Sequence, residues 1–198
     1  RSVAPGSLHV QAATLRAGKY VTQAEASVST EAGPAVKLHA IFGRGRESAI
    51  QVPPEATQGE QLASPLPLRH IEGITPRFLQ HFTMEQTEGG LPYSGHPEGI
   101  LGGTAAAKGD NAINESVLVA LIDAWPPAVL PMGTGPFAAS TVRWSIQFPS
   151  PLVEPVQGPV TYRARTVASS GGYATTCAET WHGDRLLAWS EQLVAVFA

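Results

Sequence analysis

One internal repeat constrains the fold of this 198-residue chain more than any other feature. Residues 6–22 align with residues 158–175 if one residue is inserted, and a repeat that is overlooked leads to the wrong fold. The identical pairs are Gly6 and Gly158, Ala12 and Ala164, Thr14 and Thr166 and, beyond the insertion, Gly18 and Gly171, Tyr20 and Tyr173, and Thr22 and Thr175. The alternative is that two antiparallel hairpins share turn chemistry alone. A true repeat requires Tyr20 and Tyr173 to occupy equivalent positions.

Each copy has the pattern of three strands joined by turns that contain glycine. Glycine between runs of β-forming residues is the signal of a hairpin. We predict strands at residues 7–15, 20–29 and 35–42 in the first copy, and at residues 160–168, 173–182 and 185–197 in the second. Both copies are therefore expected to form meanders of an antiparallel sheet.

The second copy has two further elements that the first copy lacks. Residues 139–148 alternate polar and apolar side chains, which is typical of a half-buried strand. Residues 114–125 favour a helix with Asp110 or Asn114 as its N-cap, and two prolines then end or distort it. Between the copies, residues 43–76 are rich in Pro, Gly, Glu and Gln, which indicates a linker with at most a short ordered stretch.

The predicted helix is apolar nearly all round, since Asp123 is the only charged residue between positions 117 and 130. A helix without a polar face is usually buried, here most simply by a sheet that wraps around it. One strand, this helix and four antiparallel strands make an α+β hotdog domain. We therefore predict an incomplete first hotdog plus linker at residues 1–76 and a second hotdog at residues 77–198.

The first copy would lack the helix that covers its sheet. We expect its apolar surface to be exposed or covered by a second copy of the chain. Hotdog domains also tend to pair, because one small sheet leaves its edges open. A homo-oligomer is the expected state.

Asp123 is out of place on an apolar helix, because burying an ionised carboxylate is costly unless it is paired or hydrogen-bonded. Two structural explanations are that it caps a broken helix end near the prolines, or that it points out at the edge of the domain. The functional explanation is a general base held in a dry cleft with a shifted pKa, and it predicts that Asp123 is substantially buried. Composition alone leaves these alternatives open.

Three segments resemble double-hotdog acyl-CoA thioesterases of the type II, medium-chain class. LIDAWPPAVL (residues 121–130) resembles the central helix of the second half of that family, and STVRWSIQF (residues 140–148) resembles the strand that follows it. LAWSEQLVAVF (residues 187–197) is similar to the family's last strand, which carries a glutamine before an apolar end. The resemblance covers roughly residues 89–198, and the strand pattern extends it to the first half.

The resemblance implies that Asp123, Thr141 and Gln192 hold the attacking water as the catalytic residues. The implied reaction hydrolyses an acyl-CoA thioester to a free acid and CoA, with no cofactor and no metal. A protein that binds acyl groups without turnover, or a scaffold, is the alternative on the same fold. The chain departs from the family where Val142, Arg143 and Trp144 replace acidic and histidine residues.

Composition excludes several other classes of function. A net charge of −3 at pH 7 argues against a nucleic-acid partner. No run of about 18 apolar residues occurs, so no membrane span is expected. Cys177 is the only cysteine, which rules out an intrachain disulfide and fits a cytoplasmic location. The six histidines show no metal-ligand spacing.

Two other groups of residues were candidates for a site. Glu85, Glu88 and Tyr93 are expected in a solvated loop. The four tryptophans are expected in the core and at interfaces, where large aromatic side chains contribute most.

Overall fold

The structure, a computed structural model, describes residues 6–56, 61–109 and 112–197 of the chain. It divides into two units, Arg1–Pro53 and Pro54–Ala198. Among the described residues, no helix combines the length and the apolar character that crossing a bilayer requires. Asp110, one of the two candidate N-caps, lies outside the described residues.

The first unit is a three-stranded antiparallel sheet. Its strands are β1 (His9–Ala17), β2 (Val21–Thr30) and β3 (Gly33–Gly43), in that order across the sheet, and they are the three predicted strands. Val10, Leu38 and Phe42 share one face by register, together with small apolar residues of β2, and all three are exposed. This apolar face of the first copy is thus exposed within the single chain, and its coverage by a second copy of the chain stays a prediction.

The second unit contains a larger antiparallel sheet. In chain order, its strands are β4 (Gln61–Leu68), β5 (Phe82–Gly89), β6 (Ile100–Ala107), β7 (Ala112–Ile113), β8 (Ala138–Gln147), β9 (Val156–Gln157), β10 (Val160–Ser170), β11 (Tyr173–His182) and β12 (Arg185–Phe197). Seven of them form one sheet in the order β4-β5-β6-β10-β11-β12-β8, and β7 pairs with β9. All of these pairings are antiparallel, as predicted.

The helix α1 (Glu115–Asp123) precedes β8, and Asn114 is its N-cap. The Asn114 side chain accepts a hydrogen bond of 3.0 Å from the backbone amide of Val117, which satisfies one of the donors that a helix start leaves free. The helix ends at Asp123, two residues before its predicted end. The following prolines explain this end, since proline cannot continue the hydrogen-bond ladder.

One face of α1 packs on the sheet and the opposite face does not. Leu118, Leu121 and Ile122 are buried in a core that includes residues of β6, β10, β11 and β12. Ser116, Ala120 and Asp123, which recur at helical spacing, are exposed. The expectation of a buried helix therefore holds for one face of α1, and its other face is exposed. Its apolar composition reflects small residues such as Ala120, which tolerate exposure.

Four strands of the second unit, β4 to β7, precede α1, where one strand is predicted from the sequence. β4 lies within the segment assigned to the linker, and it pairs with β5. β6 is rich in glycine and alanine (ILGGTAAA), so it lacks the alternation of large apolar and polar residues that reveals a strand.

The expectation of a solvated loop for Glu85 and Glu88 is wrong, because both residues lie in β5. Glu88 is buried, and its Oε2 accepts a hydrogen bond of 2.6 Å from Nε of Arg163. Gly102 lies between them in register and has no side chain to separate them. The ion pair therefore crosses β6 over a glycine.

The two meanders, β1–β3 and β10–β12, repeat with a constant register. The number of every residue in the second meander exceeds that of its counterpart by 152, and the β-bulges recur at equivalent points. Equivalent cross-strand pairs are Thr14–Ala24 and Thr166–Thr176, and Ala24–Ala40 and Thr176–Gln192. Since a one-residue slip would turn every side chain to the other face, this agreement identifies a structural repeat.

The insertion assumed in the sequence alignment is wrong, and so is the requirement, which followed from it, that Tyr20 and Tyr173 be equivalent in a true repeat. The constant difference of 152 makes Tyr173 equivalent to Val21, so Tyr20 and Tyr173 do not occupy equivalent positions. The two glycine turns have equal length, and matching them by residue type displaced the alignment by one position. The identities before the turn, such as Ala12 with Ala164, do fall at equivalent positions.

We predict that Gly103→Ala destabilises the second unit. A Cβ at Gly103 would overlap the backbone carbonyl oxygen of Glu85 in the neighbouring strand, which cannot move without breaking the sheet. Such overpacking should lower the free energy of unfolding by about 1–3 kcal/mol in denaturant titrations. Gly135→Ala is the control, because a Cβ there meets no atom within 4 Å. Equal stabilities of the two variants would contradict the prediction.

Candidate active site

Asp123 is the last residue of α1, and its side chain is exposed to solvent. The expectation that this carboxylate is substantially buried is therefore wrong. Its position at the end of the helix explains the exposure, since the chain turns away after it. Partial desolvation by its neighbours still raises the pKa of the Asp123 carboxyl above its usual range. The carboxylate thus lies at the rim of a cleft.

Gln192 and Thr141 come from neighbouring strands and are in direct contact. The side-chain amide Nε2 of Gln192 donates a hydrogen bond of 2.7 Å to the hydroxyl oxygen of Thr141. A β-bulge in the pairing of β12 with β8, between Leu193 and Val194, shifts the register beside this contact. Bulges re-aim side chains in this way near functional sites.

Asp123 and Gln192 line one cleft, which opens to solvent. The structure therefore brings the three candidate residues together through Gln192, which shares the cleft with Asp123 and holds Thr141 by a hydrogen bond. The other lining residues are Ile122, Trp125, Trp144, Tyr162, Thr176, Ala178 and Ser190. Nothing in their spacing along the chain required these elements to converge.

The indole of Trp125 and the ring of Tyr162 form one wall of the cleft. Their centroids lie 5.1 Å apart with an interplanar angle of 9°, so the rings are stacked. Burial raises the pKa of the Tyr162 hydroxyl, and the charge of Asp123 raises it further. Tyr162 therefore stays protonated and can donate a hydrogen bond at neutral pH.

Trp125 and Trp144 both fit the expected core role and also line the cleft. Trp125 is buried in the core cluster, and Trp144 is partly buried against it. Trp144 lies directly across from Gln192 in the pairing of β12 with β8. Its ring thus limits the space available to the Gln192 side chain.

The sequence analysis did not identify Tyr162, Thr176 and Ser190 as residues of the cleft. A signal for them exists in the repeat, once its register is known. The equivalent residues of the first meander are Val10, Ala24 and Leu38, all of them apolar. At each of these positions the second copy has a polar residue and the first copy has an apolar one. The fold itself therefore does not require a polar side chain there.

The chemistry available in the cleft is that of a carboxylate and two polar groups. Asp123 can accept a proton, and Thr141 and Gln192 can orient a small polar molecule. The N-terminus of α1 lies about 12 Å from Asp123 along the helix, so its free amides cannot serve the same site. Among the described residues, no group of three His, Cys, Asp or Glu side chains could hold a metal ion.

Comparisons with known proteins point to one family. The family model for the acyl-CoA thioesterase C-terminal domain matches residues 51–196, a span that contains α1 and the three candidate residues. No curated protein matches the chain significantly in sequence.

Solved structures support the same fold. A hot dog fold protein of unknown function from Alicyclobacillus acidocaldarius superposes with a TM-score of 0.81 at 18% identity, covering 96% of this chain and 72% of that one. An acyl-CoA thioesterase II from Mycobacterium marinum superposes with a TM-score of 0.63 at 12% identity, covering 99% of this chain and 78% of that one. At these identities the likeness shows the fold alone. The family model matches more than half of the length of this chain. The chain therefore belongs to the acyl-CoA thioesterase family and is a thioester hydrolase with the α+β double-hotdog fold.

Proposed function

We propose that the cleft hydrolyses acyl-CoA thioesters with a water molecule held by Asp123, Thr141 and Gln192. The observation that carries the proposal is the position of Gln192, which lines the cleft beside Asp123 and donates a hydrogen bond to Thr141. Asp123 of the helix and Gln192 of one strand thus line the cleft, and Thr141 contacts Gln192 from the neighbouring strand. This is the arrangement needed to orient a nucleophile against a carbonyl group.

The three residues have different roles in the proposed reaction. Asp123 accepts a proton from the water as its oxygen attacks the thioester carbonyl carbon, and a tetrahedral intermediate forms. The intermediate collapses as the C–S bond breaks, and the CoA sulfur leaves as a thiolate that takes up a proton. Thr141 and Gln192 fix the position of the water, since a hydroxyl group and an amide can each donate and accept hydrogen bonds.

The pKa of Asp123 suits a general base at the rim of a cleft. A carboxylate with an ordinary pKa is a weak base, and desolvation makes the Asp123 carboxylate a stronger one. Its exposure limits this rise in pKa, since water still stabilises the charged form. The position of Asp123 at the rim of the cleft therefore makes its carboxylate a stronger base, while water still stabilises the ionised form.

We expect Asp123→Asn to lower kcat for acyl-CoA hydrolysis by about two to four orders of magnitude, because asparagine keeps the shape and removes the base. Release of free thiol from a panel of acyl-CoAs measures this. Asp184→Asn is the matched control, since Asp184 is exposed in the turn between β11 and β12. Near-normal turnover by folded Asp123→Asn protein would show that the assigned base is wrong.

The pH dependence of kcat/KM should report the same carboxyl group. Asp123 must be ionised to accept a proton, so activity is lost as pH falls through its pKa. The acid limb is the part of the pH profile in which kcat/KM falls as pH is lowered. Because the pKa of Asp123 is raised, the midpoint of the acid limb should lie above the ordinary aspartate pKa of about 3.9. The limb should persist in Thr141→Ala, which leaves the base in place, and vanish in Asp123→Asn. An unchanged limb in Asp123→Asn would assign it to another group.

Thr141 and Gln192 should act as one unit. Thr141→Ala and Gln192→Ala should each lower kcat by less than Asp123→Asn does, because each residue only positions the water. Their hydrogen bond predicts that the double variant loses less activity than the product of the two single losses. Gln147→Ala, at an exposed position near the end of β8, is the control for glutamine removal. Fully multiplicative effects would argue that the two side chains act separately.

A further inference from the structure

The inner part of the cleft carries more hydrogen-bonding groups than a purely alkyl acyl group can use. Tyr162, Thr176 and Ser190 line it, and each of these residues is less than 9% exposed. They lie on the face of the sheet that packs against α1, where the core of this unit is otherwise apolar. Placing polar side chains on the core side of a sheet costs desolvation, so their presence calls for a reason.

The internal repeat shows that the fold does not supply that reason. Val10, Ala24 and Leu38 occupy the equivalent positions of the first meander, which has the same strands and the same bulges. The same backbone therefore forms with apolar side chains at all three positions. The polar residues of the second meander are needed for something other than strand pairing.

Trp125 adds a donor that points to the kind of ligand. Its side chain is 6% exposed, and its indole N–H finds no acceptor among the described residues. An indole N–H can only donate, so the group that satisfies it must accept a hydrogen bond. Trp125 also lines the cleft, together with the residues that carry the three hydroxyl groups.

A plain alkyl chain would displace water from these groups and give no hydrogen bond back. Displacing bound water with a group that cannot replace its hydrogen bonds loses affinity. A carbonyl or ether oxygen on the acyl group would restore them.

We propose that the cleft selects acyl groups that carry a hydrogen-bond acceptor oxygen near the thioester over plain alkyl acyl groups of the same length. The inference rests on the proposed function, since it takes the ligand of the cleft to be an acyl-CoA. Trp125 and Ser190 are the residues that determine this specificity. Tyr162 and Thr176 complete the polar wall around the acceptor oxygen.

Binding of two stable thioethers tests the proposal without relying on turnover. S-(3-oxobutyl)-CoA and S-butyl-CoA have the same chain length and differ at one carbon, which carries a ketone oxygen in the first. Isothermal titration of the wild-type protein should show tighter binding of the oxo analogue by about three- to tenfold for each hydrogen bond gained. Equal binding, or a preference for the butyl analogue, would overturn the proposal.

Variants of the cleft should remove the preference, and matched variants elsewhere should keep it. Trp125→Phe removes the N–H and keeps an aromatic ring, and Ser190→Ala removes one hydroxyl. Each should bring the two dissociation constants closer together by weakening binding of the oxo analogue alone. Ser145→Ala and Thr175→Val are the controls, because alternation along β8 and β11 turns these side chains to the opposite face of the sheet.

Thiol release from 3-oxobutyryl-CoA and butyryl-CoA separates this proposal from the proposed function. Each rate is divided by the rate of hydroxide hydrolysis, since the oxo group itself activates the thioester. Turnover of both thioesters without a preference would overturn the specificity proposal and leave the hydrolase intact. A binding preference that Trp125→Phe and Ser190→Ala abolish, without thiol release from either substrate, would support the specificity of the cleft and overturn the proposed reaction. A binding preference that persists in both variants would overturn the assignment of these residues.

Discussion

The packing of one face of α1 on the seven-stranded sheet is the interaction on which the rest of this structure depends. Leu118, Leu121 and Ile122 bury that face in the core, and burial of such side chains contributes about 1.5–3 kcal/mol each. The same contact fixes the rotation of the helix about its axis. Since Asp123 follows Ile122 directly, its carboxylate is held beside the core and still reaches solvent. Stability and the position of the proposed base thus come from one contact.

The internal repeat separates what the fold needs from what the cleft needs. Both meanders keep the same register and the same bulges, although few of their residues are identical. Gln192 has Ala40 as its counterpart, so the first meander lacks the glutamine at the equivalent position. The polar side chains of Tyr162, Thr176, Ser190 and Gln192 are therefore specific to the second copy at these four positions. The repeat thus allows a direct comparison of the same backbone with apolar and with polar side chains within a single chain.

Most of the fold could be predicted from the sequence, because long strands and glycine turns are strong local signals. The six meander strands, the strand β8 and the helix start at Asn114 lie at or near their predicted positions. The strands β5 and β6 could not be predicted this way, since glycine and alanine in β6 carry no alternation and Glu88 in β5 is buried through its ion pair with Arg163. The candidate catalytic residues could be predicted only through a resemblance to a family. The polar wall of the cleft was not predicted, because the sequence alignment of the repeat was displaced by one residue beyond the turn.

The exposure of Asp123 changes how the cleft can work. A fully buried carboxylate without a cationic partner becomes neutral, because its pKa rises by several units. A neutral carboxyl group cannot accept a proton from water, so complete burial would defeat the role of a base. At the rim, water stabilises the ionised form while Ile122, Trp125 and Tyr162 line the space where a substrate carbonyl would lie. A bound acyl group would itself exclude water from the carboxylate, so the base becomes stronger at the moment when the substrate is in place.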